Sequence, residues 1–444
     1  MQMRTNPLDS DVPFFPFNIR PSGDGSHFVT TNHLTAKPIH LNKQAAEILR
    51  LTDGETPLSI IIARLVDRYP DAGGPTVIHS QIIDLLRFLT AKELIWWREK
   101  PLELLPAEPP SSVFWELTAA CNLRCLHCVV SAGLKADKEL PTKRCLELIE
   151  ELADFGLQSI AFSGGEPLLH PDFRLIAEKV RNRGLMIQVA TNGTMVTKEI
   201  AQWLKELNAE VQVSLDGSIA EIHDYVRPGC GAFAKAVEGI RTLVDTGHEV
   251  MIGTVLSTLN ANDIPSLISL AETLDVAHFR LIPFVPKGRG ESYMNLEVSP
   301  SEVKRVVQFL HELRGKTKVN IVALEFEDML EIKLCADPFD INRHLGCHGA
   351  VSYATITPTG ELLPCHFFEG VRADNVAFAP FQEVWRRSRF LNYFRQLTVA
   401  DLHGGCRDCN WLPRCGGGCR AVNFSKGDFL GTNLQCWIAQ EQFL

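Results

Sequence analysis

The residues best placed to do chemistry are thiols. Cys121, Cys125 and Cys128 fall within eight positions, Cys121-Asn122-Leu123-Arg124-Cys125-Leu126-His127-Cys128. Spacings of three and then two let one loop turn three thiolates toward a single iron–sulfur cube. Three ligands leave one iron open to a small molecule. Zinc is the competing reading, but zinc wants a fourth local ligand, and His127 is poorly placed between two cysteines. A second set runs Cys347, Cys365, Cys406, Cys409, Cys415, Cys419 and Cys436. The chain has thirteen cysteines, an odd number, so complete internal pairing is impossible. In a reducing compartment clustered thiols more often hold metal than form disulfides.

Such thiols need elements to carry them. From Val113 onward, strand-like stretches at 113–118, 157–162, 185–190, 209–215, 249–256 and 278–284 alternate with helical ones at 142–155, 172–183, 198–207, 233–246 and 263–274. Regular βα alternation predicts a parallel sheet with helices outside. Six units make a partial (β/α)6 TIM-like barrel, an α/β fold, over 113–320. The first thiol motif follows the first strand, and active sites form at the C-terminal ends of barrel strands. Polar strand ends recur at Ser163-Gly164-Gly165-Glu166-Pro167, Thr191-Asn192-Gly193 and Ser214-Leu215-Asp216-Gly217. Each alone marks only a turn or a helix N-terminus.

The flanks differ. Residues 1–97 form a unit in which 27–97 carry the pattern, two short strands and three helices of winged-helix type. Thr56 is expected to N-cap the middle helix, with Pro57 at its first position. Residues 98–112 hold Pro101, Pro106, Pro109 and Pro110 and read as a linker. In 321–444 the apolar periodicity fades among cysteines and glycines, so metal is expected to hold that region. The balance of 44 Lys+Arg against 53 Asp+Glu gives a net charge of −9, which excludes general phosphate-backbone binding and predicts no nucleic-acid partner. No apolar run reaches the ~18 residues of a membrane span, and the N-terminal residues have no signal-peptide core. A cytoplasmic protein without membrane attachment is expected.

Together these motifs resemble the radical S-adenosylmethionine (radical SAM) enzymes. The resemblance implies a 4Fe-4S cluster on Cys121, Cys125 and Cys128, and S-adenosylmethionine held by His127, Gly164, Gly165, Glu166, Asn192, Ser214 and Asp216. Glu166 would meet the methionine ammonium, glycine backbone would approach the ligand, and His127 would stack on adenine. The C-terminal thiols match the seven-cysteine SPASM domain. That likeness implies an auxiliary cluster on Cys347, Cys365 and Cys419 and a second on Cys406, Cys409, Cys415 and Cys436. Cys335 is the nearby candidate for the fourth ligand of the first. His348 and His366, beside cysteines, are expected to be outer-shell or surface residues, and Cys145 a core thiol.

The stretch Leu41–Leu49, followed by Asp53-Gly54, resembles the PqqD-like peptide-recognition domain, which binds the leader of a precursor peptide by strand addition. The combined resemblance implies a maturase of a ribosomally made peptide, forming a thioether or carbon–carbon crosslink, with a low-potential donor such as flavodoxin or ferredoxin. Alternatives are modification of a protein side chain, as in formylglycine formation, or of a tetrapyrrole. Outside that class stand an iron–sulfur electron carrier and a zinc-dependent peptide-binding adaptor. No side chain of the barrel mouth stands out in the sequence as a proton donor or acceptor.

Overall fold

The computed structural model describes residues 7–8, 10–22, 26–31, 38–92, 94–98, 100–323 and 345–439. In the N-terminal unit, β1 (Val12–Phe14) is followed by β2 (Arg20–Pro21), β3 (Phe28–Thr31) and β4 (Pro38–Leu41), then α1 (Lys43–Leu51), α2 (Leu58–Arg68), α3 (Pro75–Ala91) and β5 (Trp96–Arg98). The second to fourth strands form an antiparallel sheet in that order, and β1 pairs with β5. Each helix buries an apolar stripe, such as Leu58, Ile61, Ile62 and Leu65 of α2, at the spacing that aligns side chains on one helical face. The α2 N-cap is Pro57 rather than Thr56. Thr56 instead donates its amide and hydroxyl to the Asp53 carboxylate, one position too early to cap.

The barrel strands are β6 (Ser112–Thr118), β7 (Ser159–Gly164), β8 (Met186–Thr191), β9 (Glu210–Ser214), β10 (Met251–Val255) and β11 (His278–Ile282). They are parallel neighbours in chain order. Helices α4 (Thr142–Phe155), α5 (Phe173–Asn182), α6 (Lys198–Glu206), α7 (Ala220–Val226), α8 (Ala232–Asp245) and α9 (Ile264–Thr273) alternate with them. Outward residues of β6, Val113, Trp115 and Leu117, are buried against the helices. Phe114 and Glu116 alternate inward into the barrel, as the period-two pleat requires.

The sheet is wider than six strands. After α10 (Pro300–Leu313), β12 (Asn320–Val322) adds in parallel beyond β11. On the other edge β13 (Tyr353–Ile356) pairs in parallel with β6, and β14 (Leu362–Leu363) adds antiparallel to it. The nine-stranded sheet therefore joins the C-terminal region to the barrel.

The N-terminal unit is welded to that C-terminal region. The indole of Trp96 lies 4.9 Å from the ring of Tyr393 and 5.4 Å from that of Phe429. Phe17 stacks on Phe424. The proline-rich stretch is tied down along its length. Leu102 donates its amide to Gly54, Leu105 to the Asn392 side chain, and Ser111 to Ser352. The Trp385 indole donates to the Glu108 carbonyl. One contiguous core runs from Phe14 through the barrel to Ile438.

Candidate functional site

Fixing the cysteine loop comes first. It leaves β6 and is held from three sides. Cys121 donates its amide to Gly133, Leu126 to Val226, and Arg124 to Pro228. Arg289 donates to the carbonyls of Cys125 and Ala132. Glu139 accepts from the Thr118 hydroxyl and from the amides of Ala119 and Ala136. Glu139 and Arg289 carry no motif, and sequence reasoning missed both.

The three thiols share one cavity of about 240 Å³ at the C-terminal strand ends, with His127, Gly164, Gly165, Asn192 and Ser214 also in its walls. Each sulfur accepts a hydrogen bond. Leu123 N–H donates to Cys121 at 3.4 Å, Ala132 N–H to Cys128 at 3.3 Å, and Arg227 Nη1 to Cys125 at 3.7 Å. Donors aimed at sulfur suit a thiolate ligand set. Among the described residues no three His, Cys, Asp or Glu side chains converge on a point that would hold a single ion. A lone zinc needs its thiolates within ~2.3 Å of one centre, whereas a cube presents four separate irons. The barrel thiols fit the cluster.

Glu166 and Asp216 stand apart from the cavity walls. Glu166 is fully buried. Its oxygens accept from the Thr191 hydroxyl and the Asn192 amide, both at 2.8 Å, so it pins the end of β8. Burial, opposed by these donors, pushes its carboxyl up to about 7. The carboxylate thus reaches the end of β8, while Gly164 and Gly165 beside it line the cavity. Asp216, also fully buried, accepts from Arg227 Nε at 2.6 Å and Val255 N–H at 2.8 Å. It thus orients Arg227. The two glycines are needed for packing. A Cβ on Gly165 would sit 2.0 Å from the Ala120 carbonyl oxygen, and one on Gly164 2.5 Å from that of Thr118. They let β7 close on the cysteine loop.

Phe114 and Glu116 of β6 line the same cavity as His366 and Phe367, which follow Cys365. His366 packs on Phe114 at 5.0 Å between ring centroids, and its Nδ1 is buried without a partner. Of the two places expected for His366, the surface one is corrected, since the 3-10 turn His366–Phe368 sets it in the cavity lining against Phe114. His348 is exposed as expected, and Cys145 is a core thiol. Burial, reinforced by Glu369 and Glu361, holds the Glu116 carboxyl well above the usual carboxylate range. Its one sequence signal is a charge within an apolar strand.

In the C-terminal region, Cys406, Cys409, Cys415 and Cys436 line one cavity of about 30 Å³ with Trp411 and Ile438. Backbone amides of Asn433, Trp411 and Gly417 donate to the sulfurs of Cys406, Cys409 and Cys415. Burial pushes the Cys347 thiol up to about 11, with the nearby Cys419 adding to the shift. Cys365 is raised by burial and then by both of these neighbours. The groupings expected from the resemblance are thus brought together in space. Cys335, and the helix-like run 326–333 before it, lie outside the described residues.

Comparison with known proteins matches this order of parts. The profile of the radical SAM superfamily matches residues 115–271, that of the SPASM iron–sulfur cluster-binding domain 347–410, and that of coenzyme PQQ synthesis protein D (PqqD) 30–95. An AdoMet-dependent heme synthase of Methanosarcina barkeri is 31% identical over 342 residues, covering 74% of this chain and 96% of that protein. The mycofactocin maturase MftC of Mycobacterium ulcerans is 30% identical over 335 residues, covering 72% of this chain and 85% of its own length. Among solved structures, SuiB of Streptococcus suis bound to S-adenosylmethionine superposes with a TM-score of 0.63 at 16% identity, covering 98% of this chain and 100% of that one. The complex of SuiB with its precursor peptide SuiA gives 0.63 at 14% identity, covering 98% and 99%. No helix among the described residues is long and apolar enough to cross a membrane.

Proposed function

We propose a substrate and product for a chain that belongs to the radical SAM superfamily and carries a SPASM domain and a PqqD-like unit. It modifies a ribosomally made precursor peptide, captured by its leader, and closes a thioether or carbon–carbon crosslink. One observation carries this reading. The same body that holds the three-thiol cavity also presents β4 at the edge of a small sheet, with Pro38 and His40 exposed. Such an edge offers unpaired backbone groups to an added strand. The weld through Trp96, Tyr393 and Phe429 gives that edge a fixed position relative to the barrel.

A 4Fe-4S cluster on Cys121, Cys125 and Cys128, with S-adenosylmethionine, supplies a 5′-deoxyadenosyl radical that removes a hydrogen atom from an unactivated carbon. His127, the Gly164-Gly165 backbone, Asn192 and Ser214 hold the nucleoside and methionine parts. Phe114, Glu116, His366 and Phe367 line the chamber that receives the peptide residue. There the rings exclude water, and the Glu116 carboxyl holds or accepts a proton at its oxygen. Cys347, Cys365 and Cys419, and Cys406, Cys409, Cys415 and Cys436, would hold auxiliary clusters, which would supply an acceptor for the second electron. Domain limits of 1–97, 98–112, 113–320 and 321–444, a cytoplasmic location and a flavodoxin or ferredoxin donor belong to the same proposal.

The experiment is co-expression, without oxygen, of the chain with short reading frames that neighbour its gene. A core peptide lighter by two hydrogen atoms per crosslink, formed only when the leader is present, supports the reading. Unmodified peptides from every neighbouring frame sink it. A tetrapyrrole side-chain reaction is the second reading, favoured by the identity to the heme synthase. It leaves the PqqD-like unit without a task, and it requires an iron porphyrin to bind in the barrel.

A further inference from the structure

Arg227 is held where it can act on the cysteine loop. The residues on either side of it, Val226 and Pro228, accept the amides of Leu126 and Arg124, which flank Cys125. Arg227 is 8% exposed, and its guanidinium bridges two groups, with Nε on Asp216 at 2.6 Å and Nη1 on the Cys125 sulfur at 3.7 Å. Asp216 is held in turn by the Val255 amide. The corresponding sulfur contacts of the Cys406 set come from backbone amides. The barrel site therefore has a fixed full charge against a cluster-ligand sulfur.

We propose that Arg227 is the positioning residue that sets the reduction potential of the radical cluster, raising it through its charged hydrogen bond to Cys125. This deepens the reading above and rests on its assignment of a cluster to Cys121, Cys125 and Cys128. One-electron reduction adds negative charge beside the buried Cys125, where desolvation opposes it. A cation and an N–H donor at sulfur favour the reduced state more than the oxidised one. Arginine suits the task because it stays charged when buried and serves two partners with one planar fork. Asp216 aims that fork and balances its charge at the side away from the sulfur.

The test is a potentiometric titration of the reduced radical-cluster signal by paramagnetic resonance, in reconstituted full-length protein without S-adenosylmethionine. Three forms are compared: wild type, Arg227→Lys, and the double variant Arg227→Met with Asp216→Asn. The double variant removes both charges, because Arg227→Met alone leaves a buried unpaired carboxylate, which is strongly destabilising. At the wild-type midpoint, the reduced-to-oxidised ratio in the double variant falls about tenfold, which is about 59 mV for one electron. Arg227→Lys falls between, keeping the charge without the fork. Signals of the C-terminal clusters stay where they are. An unchanged midpoint with weakened binding of S-adenosylmethionine overturns the proposal and makes Arg227 a ligand of that molecule. If the titrated signal persists when Cys121, Cys125 and Cys128 are replaced by Ala, the cluster assignment itself fails, which is a separate result.

Discussion

The barrel thiols and the Cys406 set show two ways to bury sulfur. At the barrel mouth, three thiols face a large cavity shared with polar strand ends, a buried Arg–Asp pair and an unpartnered histidine nitrogen. In the C-terminal set, four thiols close on a far smaller cavity, faced by Trp411 and Ile438 and supplied with hydrogen bonds by main chain. An incomplete ligand set with space beside it can bind and activate a molecule. A complete set in an apolar pocket can pass an electron. Ligand count and the size of the adjoining space separate the roles more clearly than the cysteine content does.

The sharpest way to break this contrast is substitution. Cys125→Ala should lower 5′-deoxyadenosine formation at least ~1000-fold, because the loss removes the reactive centre rather than one stabilising contact. Cys409→Ala should leave uncoupled cleavage of S-adenosylmethionine within a few-fold of wild type while abolishing peptide product. Chromatography of the nucleoside and mass spectrometry of the peptide read the two effects.

The next largest effect lies in the weld. Trp96→Ala should cost about 3–5 kcal/mol by emptying a ring-lined core position, visible as a lowered denaturant midpoint. Phe88→Ala, on the exposed face of α3, should cost little. Equal losses would mean that the N-terminal unit folds independently of Tyr393 and Phe429.

Acid should act on the barrel mouth. His223 is fully buried, and its Nδ1 accepts the Asp216 amide. Burial and Arg227 hold its pKa down to about 4, against an ordinary 6.5. Between those values the unfolded chain takes up a proton that the folded chain refuses. The contribution of His223 is therefore complete above about pH 6.5 and is lost as pH falls toward 4, amounting to at most about 3 kcal/mol. Urea titrations from pH 7 to pH 4 should show this slope, and His223→Gln should flatten it. His127, lowered to about 4 by burial, adds in the same direction.

The mildest change is at the sheet edge. Ile39→Pro on β4 removes a ladder donor and blocks strand addition. It should weaken binding of a leader peptide about tenfold or more by fluorescence anisotropy, with uncoupled nucleoside formation unchanged. Undiminished binding would place the leader elsewhere.

What could be read from the chain follows the range of the forces involved. The barrel was legible because its first four strand ends carry short motifs and its helices carry apolar stripes. The thiol groupings followed from spacing once the resemblance was recognised. Glu139, Arg289 and the inward turn of His366 were not legible, since their partners lie far off in the chain and leave no periodic trace. The proline-rich stretch read as a free linker because proline breaks regular structure. Its bonds to Gly54, Asn392 and Ser352 are long-range and invisible locally. For the same reason β12, β13 and β14, each four residues or fewer, escaped notice as extensions of the sheet.

The central claim is that the Cys121 loop offers the open iron that binds S-adenosylmethionine. Its most direct test is the paramagnetic resonance of the dithionite-reduced, reconstituted protein, recorded with and without S-adenosylmethionine. Three proteins are needed: wild type, the Ala triple variant at Cys121, Cys125 and Cys128, and the Ala quadruple variant at Cys406, Cys409, Cys415 and Cys436. The account predicts a component that shifts on adding S-adenosylmethionine in wild type and in the quadruple variant, and that is missing from the triple variant while other cluster signals remain. A shifting component that survives in the triple variant, or disappears from the quadruple one, would contradict it.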